Sequence, residues 1–225
     1  MRISHLRTGV RFNVALTAAL FLCAQEQATQ SKDTRPAETQ GLPPRAAPTD
    51  YQAQGRAGAV MIGAEFAGHS VPTEQGPLTT EDFVVVETGL FGPAGAHIRI
   101  SQDDFSLRIN GKKAPLPSQP YGLVLSSLKD PEWVPPESAQ PKSKTTIGGS
   151  GKADSNSPPP VVHIPIEVQR AMAQRTQKAA LALGDRALPQ AGLLFFPYRG
   201  KAEKINSLEL TYSGPAGNAT LTLQP

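Results

Sequence analysis

The amino-acid sequence predicts an all-β fold, an antiparallel β-sandwich that carries one inserted α-helix and disordered linkers. About seven short apolar segments are spread along the chain, and several of them alternate apolar with polar residues, as half-buried strands do. Turn residues separate these segments, and the tetrapeptide Gly-Pro-Ala-Gly occurs both at 92–95 and at 214–217. Short strands with Gly/Pro turns are typical of sandwiches.

The segment with the strongest strand character is 83–91, where apolar residues follow one another almost without interruption. That pattern is expected of a strand that is covered on both faces or lies in the middle of a sheet. Segment 105–109 alternates, and Asn110-Gly111 follows it, a dipeptide that favours a hairpin because both residues tolerate positive φ. Further strands are predicted at 60–66, 97–100, 121–125, 192–196, 208–212 and 219–223.

One stretch, 166–183, has the spacing of an amphipathic helix. Pro165 suits its start, and Gly184 suits a cap at its C-terminal end. Its apolar stripe, which Arg175 interrupts, consists of Val168, Ala171, Met172, Ala179 and Leu183. We expect this helix to pack on the sandwich and to shield an edge or an open face, with an intermolecular role as the alternative.

Residues 1–24 are predicted to be a secretory signal peptide. They begin with basic residues, continue with the apolar run 14–22 and reach a small residue, Ala24, before the chain turns polar. The apolar run is much shorter than the ~20 residues that span a bilayer. We therefore expect an extracytoplasmic location, periplasmic or secreted, and no transmembrane span in the mature chain. An N-terminal core helix is the alternative interpretation.

Cys23 is the only cysteine of the chain. Cleavage at Ala24 would remove it and leave no thiol for a disulfide. A lipid anchor through Cys23 is the competing hypothesis, but Leu22 stands where a lipoprotein signal has a small residue, so cleavage is favoured. An uncleaved signal anchor is a third alternative.

The predicted organisation is a signal peptide at 1–24, a disordered tether at 25–57 and the sandwich at 58–225. The tether is rich in Gln, Ala, Thr, Pro and Arg and shows no periodicity. A second stretch, 135–160, consists largely of Pro, Ser, Lys and Gly. We expect it to be a flexible insertion within the domain rather than a domain boundary.

The basic excess of the chain lies in its first residues. The full sequence has 22 Lys and Arg against 19 Asp and Glu, but residues 1–24 contain three arginines and no acid. The mature chain is therefore neutral. Because it has no global positive field to attract phosphate groups, nucleic acid is not an expected partner.

Four motifs stand in a characteristic order along the chain. They are the apolar strand Phe83–Glu87, the stretch Ser101–Leu107 followed by Asn110-Gly111, the strand Gly192–Phe196 and the strand Leu208–Tyr212. This order resembles a family of bacterial exported immunoglobulin-like domains that occur on secreted proteins and lipoproteins. The resemblance covers about 60–125 and 190–224, and roughly sixty residues between them have no counterpart. It implies an Ig-like sandwich outside the cytoplasm, and it carries over no catalytic or ligand-binding residue.

No pattern in the sequence assigns a catalytic, cofactor-binding or metal-binding residue. Segment 147–152 is similar to a phosphate-binding loop, but the first glycine and the hydroxyl residue after Lys152 are missing. The acidic pairs 81–82 and 103–104 suit solvated turns, with a calcium site as the alternative. Three histidines remain after the signal, without Cys or carboxylate at ligand spacing. They are His69, His97 and His163.

Tyr121 and Trp133 are the candidate protein-contact residues. Trp133 is the only tryptophan and lies at the edge of the flexible stretch, where it either covers the sandwich edge or is exposed for binding. The leading hypothesis is a non-enzymatic Ig-like module, without cofactor, that contacts an envelope or extracellular protein. The alternative is a secreted enzyme or metal-binding protein whose site assembles from residues distant in sequence. A structural spacer is a third possibility.

Overall fold

The structure, a computed structural model, describes residues 40–134 and 164–225. In these ranges antiparallel strands dominate, joined by two α-helices and several 3-10 turns. The strands are β1 (Ala53–Ala57), β2 (Val60–Gly68), β3 (Ser70–Val71), β4 (Leu78–Thr80), β5 (Phe83–Phe91), β6 (His97–Ile100), β7 (Phe105–Ile109), β8 (Leu116–Pro117), β9 (Leu128–Lys129), β10 (Gly184–Ala187), β11 (Gln190–Pro197), β12 (Leu208–Gly214) and β13 (Gly217–Leu223). The helices are α1 (Tyr121–Val124) and α2 (Ile166–Ala179).

Two four-stranded antiparallel sheets form the body of the fold. The first sheet has the order β1-β2-β5-β11, and the second sheet has the order β13-β12-β7-β8. Apolar side chains of both sheets, such as Val86 and Leu210, are buried together in the main core. The small sheet β6-β10 contributes Ile98 and Ile100 to this core. The predicted all-β, sandwich-like fold with an inserted helix is therefore confirmed.

Strand β5 is covered on both faces, as its continuous apolar run predicts. Val84 and Val86 enter the main core, whereas Phe83 and Val85 face the opposite way. On that outer face they form a second core with α2 and with the small sheet β3-β4-β9. The first sheet is thus the middle layer of three, and the expectation that the helix packs on an open face is confirmed.

Helix α2 ends at Ala179, and the predicted end at residue 183 is wrong. The chain leaves the helix at Ala180, which forms a parallel bridge with Leu193, and the Leu181 N–H donates to the Leu193 carbonyl over 3.1 Å. Pairing and burial beside β11 outweigh the helical pattern of these residues. Gly184 is not a helix cap; it begins β10 with a φ of +91°.

The edges of both large sheets are covered or short within the described residues. Three separate segments bridge to the outer edge of β11, at Ala191, Leu193 and Phe195. At the opposite edge of the first sheet, β1 runs beside β13, and the Gln52 side chain donates to the Gln224 carbonyl over 2.9 Å. The second sheet ends in the two-residue strand β8. Edges of this kind hinder the addition of a further strand.

The predicted boundary of the tether is wrong. Residues 40–57 belong to the fold, because Tyr51 is buried and β1 pairs with β2 along its length. Gln, Gly and Arg in β1 give too few apolar residues for an alternating pattern to be visible. The signal peptide 1–24, the remainder of the tether and the insertion 135–160 lie outside the described residues.

The predicted strand at 121–125 is also wrong. This segment forms helix α1 and enters a 3-10 turn, Leu125–Ser127. An apolar run of about five residues does not distinguish a strand from a helix, and Pro120 suits the start of a helix. None of the helices in the described ranges combines the length and the apolar character that crossing a membrane requires.

The hairpin predicted at Asn110-Gly111 is confirmed, although its loop is long. Asn110 and Gly111 have φ values of +53° and +64°. The loop between β7 and β8 nevertheless covers 110–115, since Leu107 pairs with Leu116. The Asn110 side chain accepts from the Asn206 N–H over 2.7 Å, so the turn is attached to the loop before β12.

Candidate binding groove

A groove of about 810 Å³ lies along the exposed side of α2. One wall is α2 itself, the opposite wall is the segment 40–44, and the loop 73–75 and the dipeptide 189–190 complete the lining. We call it the α2 groove. Its lining comes from four places in the sequence, so it exists only because the fold assembles them.

The helical wall of the groove follows from how α2 is seated on the first sheet. Met172, Thr176 and Ala179 are buried, and the Thr176 hydroxyl donates to the Met172 carbonyl over 2.9 Å. Residues with a spacing of three and four along the helix share a face. The exposed residues Gln174 and Gln177 therefore project away from the buried stripe and line the groove.

Arg175 joins α2 to the loop that closes one end of the groove. Its guanidinium donates to Asp130 Oδ2 over 2.9 Å and to the Gly76 carbonyl over 2.9 Å, with longer bonds to the Gln75 carbonyl and Thr73 Oγ1. The Arg175 and Asp130 side chains are only 14% and 15% exposed. The residue that interrupts the apolar stripe is thus the attachment point of the loop 73–76.

The segment 40–44 is fixed to both α2 and β11. The Gly41 N–H donates to the Lys178 carbonyl at the end of α2 over 2.8 Å, and Leu42 bridges to Ala191. Gly41 has a φ of +105°, and a Cβ there would come within 2.5 Å of the Ala191 carbonyl oxygen. Glycine is therefore required at this position for the wall to lie so close to the strand.

The chemistry of the lining is dominated by neutral amides and prolines. The Gln174 and Gln177 side chains form no hydrogen bond with any described residue, and Lys178 and Glu74 form an ion pair of 2.7 Å at the rim. A primary amide both donates and accepts hydrogen bonds, as a peptide group does. The amides and prolines that line the groove are Gln40, Gln75, Gln174, Gln177, Gln190, Pro43, Pro44 and Pro189.

A second polar arrangement, the Arg45 cluster, lies on the outer face of the first sheet. Glu65 and Glu87 are directly opposite each other on β2 and β5, a placement that is unfavourable for two carboxylates. Arg45 neutralises them: Nε and Nη2 bind the two Glu87 oxygens over 3.1 and 3.0 Å, and Nη1 lies 2.5 Å from Glu65. Burial lowers the pKa of Arg45, but hydrogen bonds and charges from Glu87 and Glu65 raise it above its ordinary value.

Tyr51 completes the cluster by lying flat against the first sheet. A Cβ on the paired glycines Gly63 or Gly89 would come within 2.5 Å of its side chain, so the two glycines form its seat. The Arg45 guanidinium stacks 4.5 Å from the ring centroid. Burial raises the pKa of the Tyr51 hydroxyl, with a smaller contribution from the charges of Glu87 and Glu65, and together these outweigh the lowering effect of Arg45. The cluster therefore fastens the segment before β1, and its charged groups are already paired.

The chain matches no protein family model, no curated protein sequence and no solved structure. The resemblance to exported immunoglobulin-like domains therefore stays a prediction. So do the extracytoplasmic location and the non-enzymatic role.

The two candidate contact residues do not form an aromatic pair with each other within the described part of the chain. Tyr121 begins α1 and packs, partly buried, against the second core. Trp133 is half-buried after β9, where its backbone N–H donates to the Asp130 carbonyl over 3.2 Å. Neither residue lines the α2 groove. A role of either one in binding stays a prediction.

The histidines have separate surroundings. His69 Nδ1 lies 2.7 Å from the Phe83 carbonyl oxygen, and Nε2 lies 2.8 Å from that of Gly200, so this ring links the first residue of β5 to the loop after β11. His97 is mostly exposed and lies 3.9 Å from Asp185, while His163 is outside the described residues. Across 40–134 and 164–225, no group of three or more His, Cys, Asp or Glu side chains is placed to hold a metal ion.

The acidic pairs singled out in the sequence have partners of their own. Glu81 pairs with Lys129, and Asp82 pairs with Arg199 over 2.9 Å. In the second pair, Asp104 Oδ2 accepts from the Ser101 N–H over 2.9 Å, as part of a capping box on the turn before β7. The segment 147–152, similar to a phosphate-binding loop, lies outside the described residues.

We expect Asp104→Asn to stabilise the protein near pH 7 and to have no such effect near pH ~3. Burial and the charge of Asp103 raise the pKa of Asp104, and they outweigh the lowering effect of the hydrogen bond from the Ser101 N–H and of the Arg99 charge. A raised pKa contributes stability that is complete below the unfolded value and is lost as the pH rises through the folded value. The side-chain oxygen of asparagine can still accept the hydrogen bond from the Ser101 N–H, and asparagine does not ionise, so no stability is lost as the pH rises. Thermal unfolding from pH 3 to pH 7 measures the difference, and a gain that grows toward acid pH would contradict this assignment.

Proposed function

We propose that this chain is an exported, non-enzymatic module that holds an extended segment of a partner protein in the α2 groove, in the cell envelope or outside the cell. The observation that carries the proposal is the set of amide side chains between α2 and segment 40–44. Such groups match the donors and acceptors that an extended peptide backbone presents along its length.

The shape and composition of the groove favour a peptide over a compact small molecule. Sites for small ligands are usually enclosed and rich in apolar and aromatic side chains, with a few polar groups. The α2 groove is only partly enclosed, and its described lining contains no aromatic residue. Its prolines at 43, 44 and 189 offer rigid apolar surface without hydrogen-bond donors, which suits contact with the side chains of an extended segment.

The charge of the groove supports a neutral rather than an anionic partner segment. Arg175 is bound to Asp130 and to backbone carbonyls, and Lys178 is paired with Glu74. With both cations engaged, the groove presents little positive potential to phosphate or carboxylate groups. Specificity would therefore come from amide hydrogen bonds and shape.

A photo-crosslinking amino acid introduced at position 174 of the full-length protein tests the proposal. The matched control carries the crosslinker at Thr211, on the outer face of the second sheet. We expect an adduct from position 174 alone, attached to one short segment of the partner. We also expect Gln177→Arg to remove it, while Gln54→Arg, an exposed site on β1, leaves it unchanged. Adducts that are equal at both positions, or absent from both, would overturn the proposed function.

A further inference from the structure

The side chain of His69 contacts two backbone carbonyls that are far apart in the sequence. His69 lies between β2 and β3, and its own carbonyl accepts from the Thr80 N–H over 2.9 Å. Its ring Nδ1 lies 2.7 Å from the Phe83 carbonyl oxygen, and its Nε2 lies 2.8 Å from the Gly200 carbonyl oxygen. The ring also stacks on Tyr198, with the two ring planes 25° apart. The imidazole is therefore held at both nitrogens and on one face.

Two carbonyl oxygens at hydrogen-bonding distance require two N–H donors from the ring. A neutral imidazole carries a proton on one nitrogen and a lone pair on the other, whereas the imidazolium carries a proton on both. In either neutral tautomer, one nitrogen lone pair would point at a carbonyl oxygen 2.7 or 2.8 Å away, which is repulsive. Only the protonated ring satisfies both contacts.

The two carbonyls differ in how well water can replace the ring. Phe83 is buried at the first position of β5, so its carbonyl would lose its donor in a place that water reaches poorly. Gly200 is only half-buried and lies in the loop after β11. Water can take over as the donor to the Gly200 carbonyl at little cost. The contact that breaks on deprotonation is therefore the one between Nε2 and Gly200.

We propose that His69 is a pH-sensitive attachment point for the loop 198–201. The protonated ring holds the Gly200 carbonyl; as the pH rises, Nε2 gives its proton to water and the carbonyl is released, while Nδ1 keeps its proton and its bond to Phe83. The ends of the loop stay in place. The Tyr198 N–H donates to the Asp82 carbonyl over 2.8 Å, and Ile205 is buried in the main core.

The charged groups on the neighbouring elements have partners elsewhere or lie exposed in the loop. Asp82 pairs with Arg199 over 2.9 Å, and Glu81 pairs with Lys129. The ring of His69 forms no hydrogen bond with a charged side chain of the described residues. The exposed charged residues that follow Gly200 are Lys201, Glu203 and Lys204. The release therefore follows the protonation of His69, and it is independent of the α2 groove.

NMR of the full-length protein labelled with ¹³C and ¹⁵N tests the inference between about pH 5 and pH 8, the range in which histidine titrates. The ¹⁵N shifts of the imidazole report the proton on each nitrogen, and the carbonyl ¹³C shifts report the two hydrogen bonds. We expect the Gly200 carbonyl shift to move with the same midpoint as His69 Nε2. The Phe83 carbonyl shift should stay nearly constant.

His69→Gln should abolish the movement of the Gly200 signal, because an amide does not titrate in this range. The matched control is His97→Gln, since His97 is mostly exposed and its nearest acid, Asp185, is 3.9 Å away; that variant should behave as the wild type does. If His69→Gln does not fold, the two midpoints of the wild type decide. A Gly200 signal that does not move, one whose midpoint differs from that of Nε2, or movement at Phe83 in its place contradicts the proposal.

Discussion

We expect the replacement of Arg175 with methionine to lower the free energy of unfolding by about 3 kcal/mol. The change leaves the Asp130 carboxylate, only 15% exposed, without its cation, and it removes the donors to the carbonyls of Gln75 and Gly76. Methionine keeps most of the apolar stem of arginine and is a good helix former, so the loss reports mainly on the guanidinium. Urea unfolding followed by circular dichroism measures it.

Arg170→Met is the matched control for this prediction. Arg170 is exposed on the same helix and forms no ion pair with a described residue, so we expect a change within about 0.5 kcal/mol. The Arg175 variant should also loosen the loop 73–76, which hydrogen exchange detects as faster exchange of the Gly76 amide. A loss below 1 kcal/mol would mean that the loop is held by other contacts.

Replacing Gly192 with alanine should lower the free energy of unfolding by about 3 kcal/mol, because the added Cβ has no room. It would meet the backbone of Leu181 and Ala180, in the segment that runs beside β11 after helix α2. Neither backbone can withdraw without breaking the bond between the Leu181 N–H and the Leu193 carbonyl. The expected result is a large fall in the unfolding midpoint, together with exposure of the second core to a hydrophobic dye.

Gly122→Ala is the control, since a Cβ at that glycine in α1 has no atom within 4 Å. Alanine there is compatible with a helix and should leave stability unchanged or raise it by about 0.5–1 kcal/mol. If the two alanine variants were equally stable, the close approach of the 180–183 segment to β11 would be wrong.

Local patterns predicted the sandwich well where burial alone decides the structure. Both ends of strand β5 and its two covered faces agree with the prediction, because a continuous apolar run of this length is typical of a strand that is buried on both faces. Strand β7 and the positive φ of Asn110 follow equally from alternation and turn chemistry.

Prediction failed where partners distant in sequence decide the conformation. Ala180 and Leu181 continue a helical pattern, yet they leave the helix to pair with β11. Segment 40–57 has little apolar periodicity and is held instead by Arg45 and by the glycine seat of Tyr51. No local signal reports such a contact.

The α2 groove could not be predicted from the sequence, because its walls come together only in the fold. One signal was available: Arg175 stands within an otherwise apolar stripe, and a charged residue there requires a buried partner. That signal indicates a contact but does not say which loop supplies it. Exposed glutamines give no signal, since they are ordinary surface residues.

The covered edges of the first sheet affect how this protein behaves at high local concentration. An open strand is a template on which identical copies stack into fibres, and stacking accelerates steeply with concentration. In the described fold, bridges to residues 191, 193 and 195 occupy the edge of β11, and β1 lies alongside β13. Copies crowded together would therefore find no free edge on the first sheet to which a strand could be added, and we expect that sheet not to start a fibre.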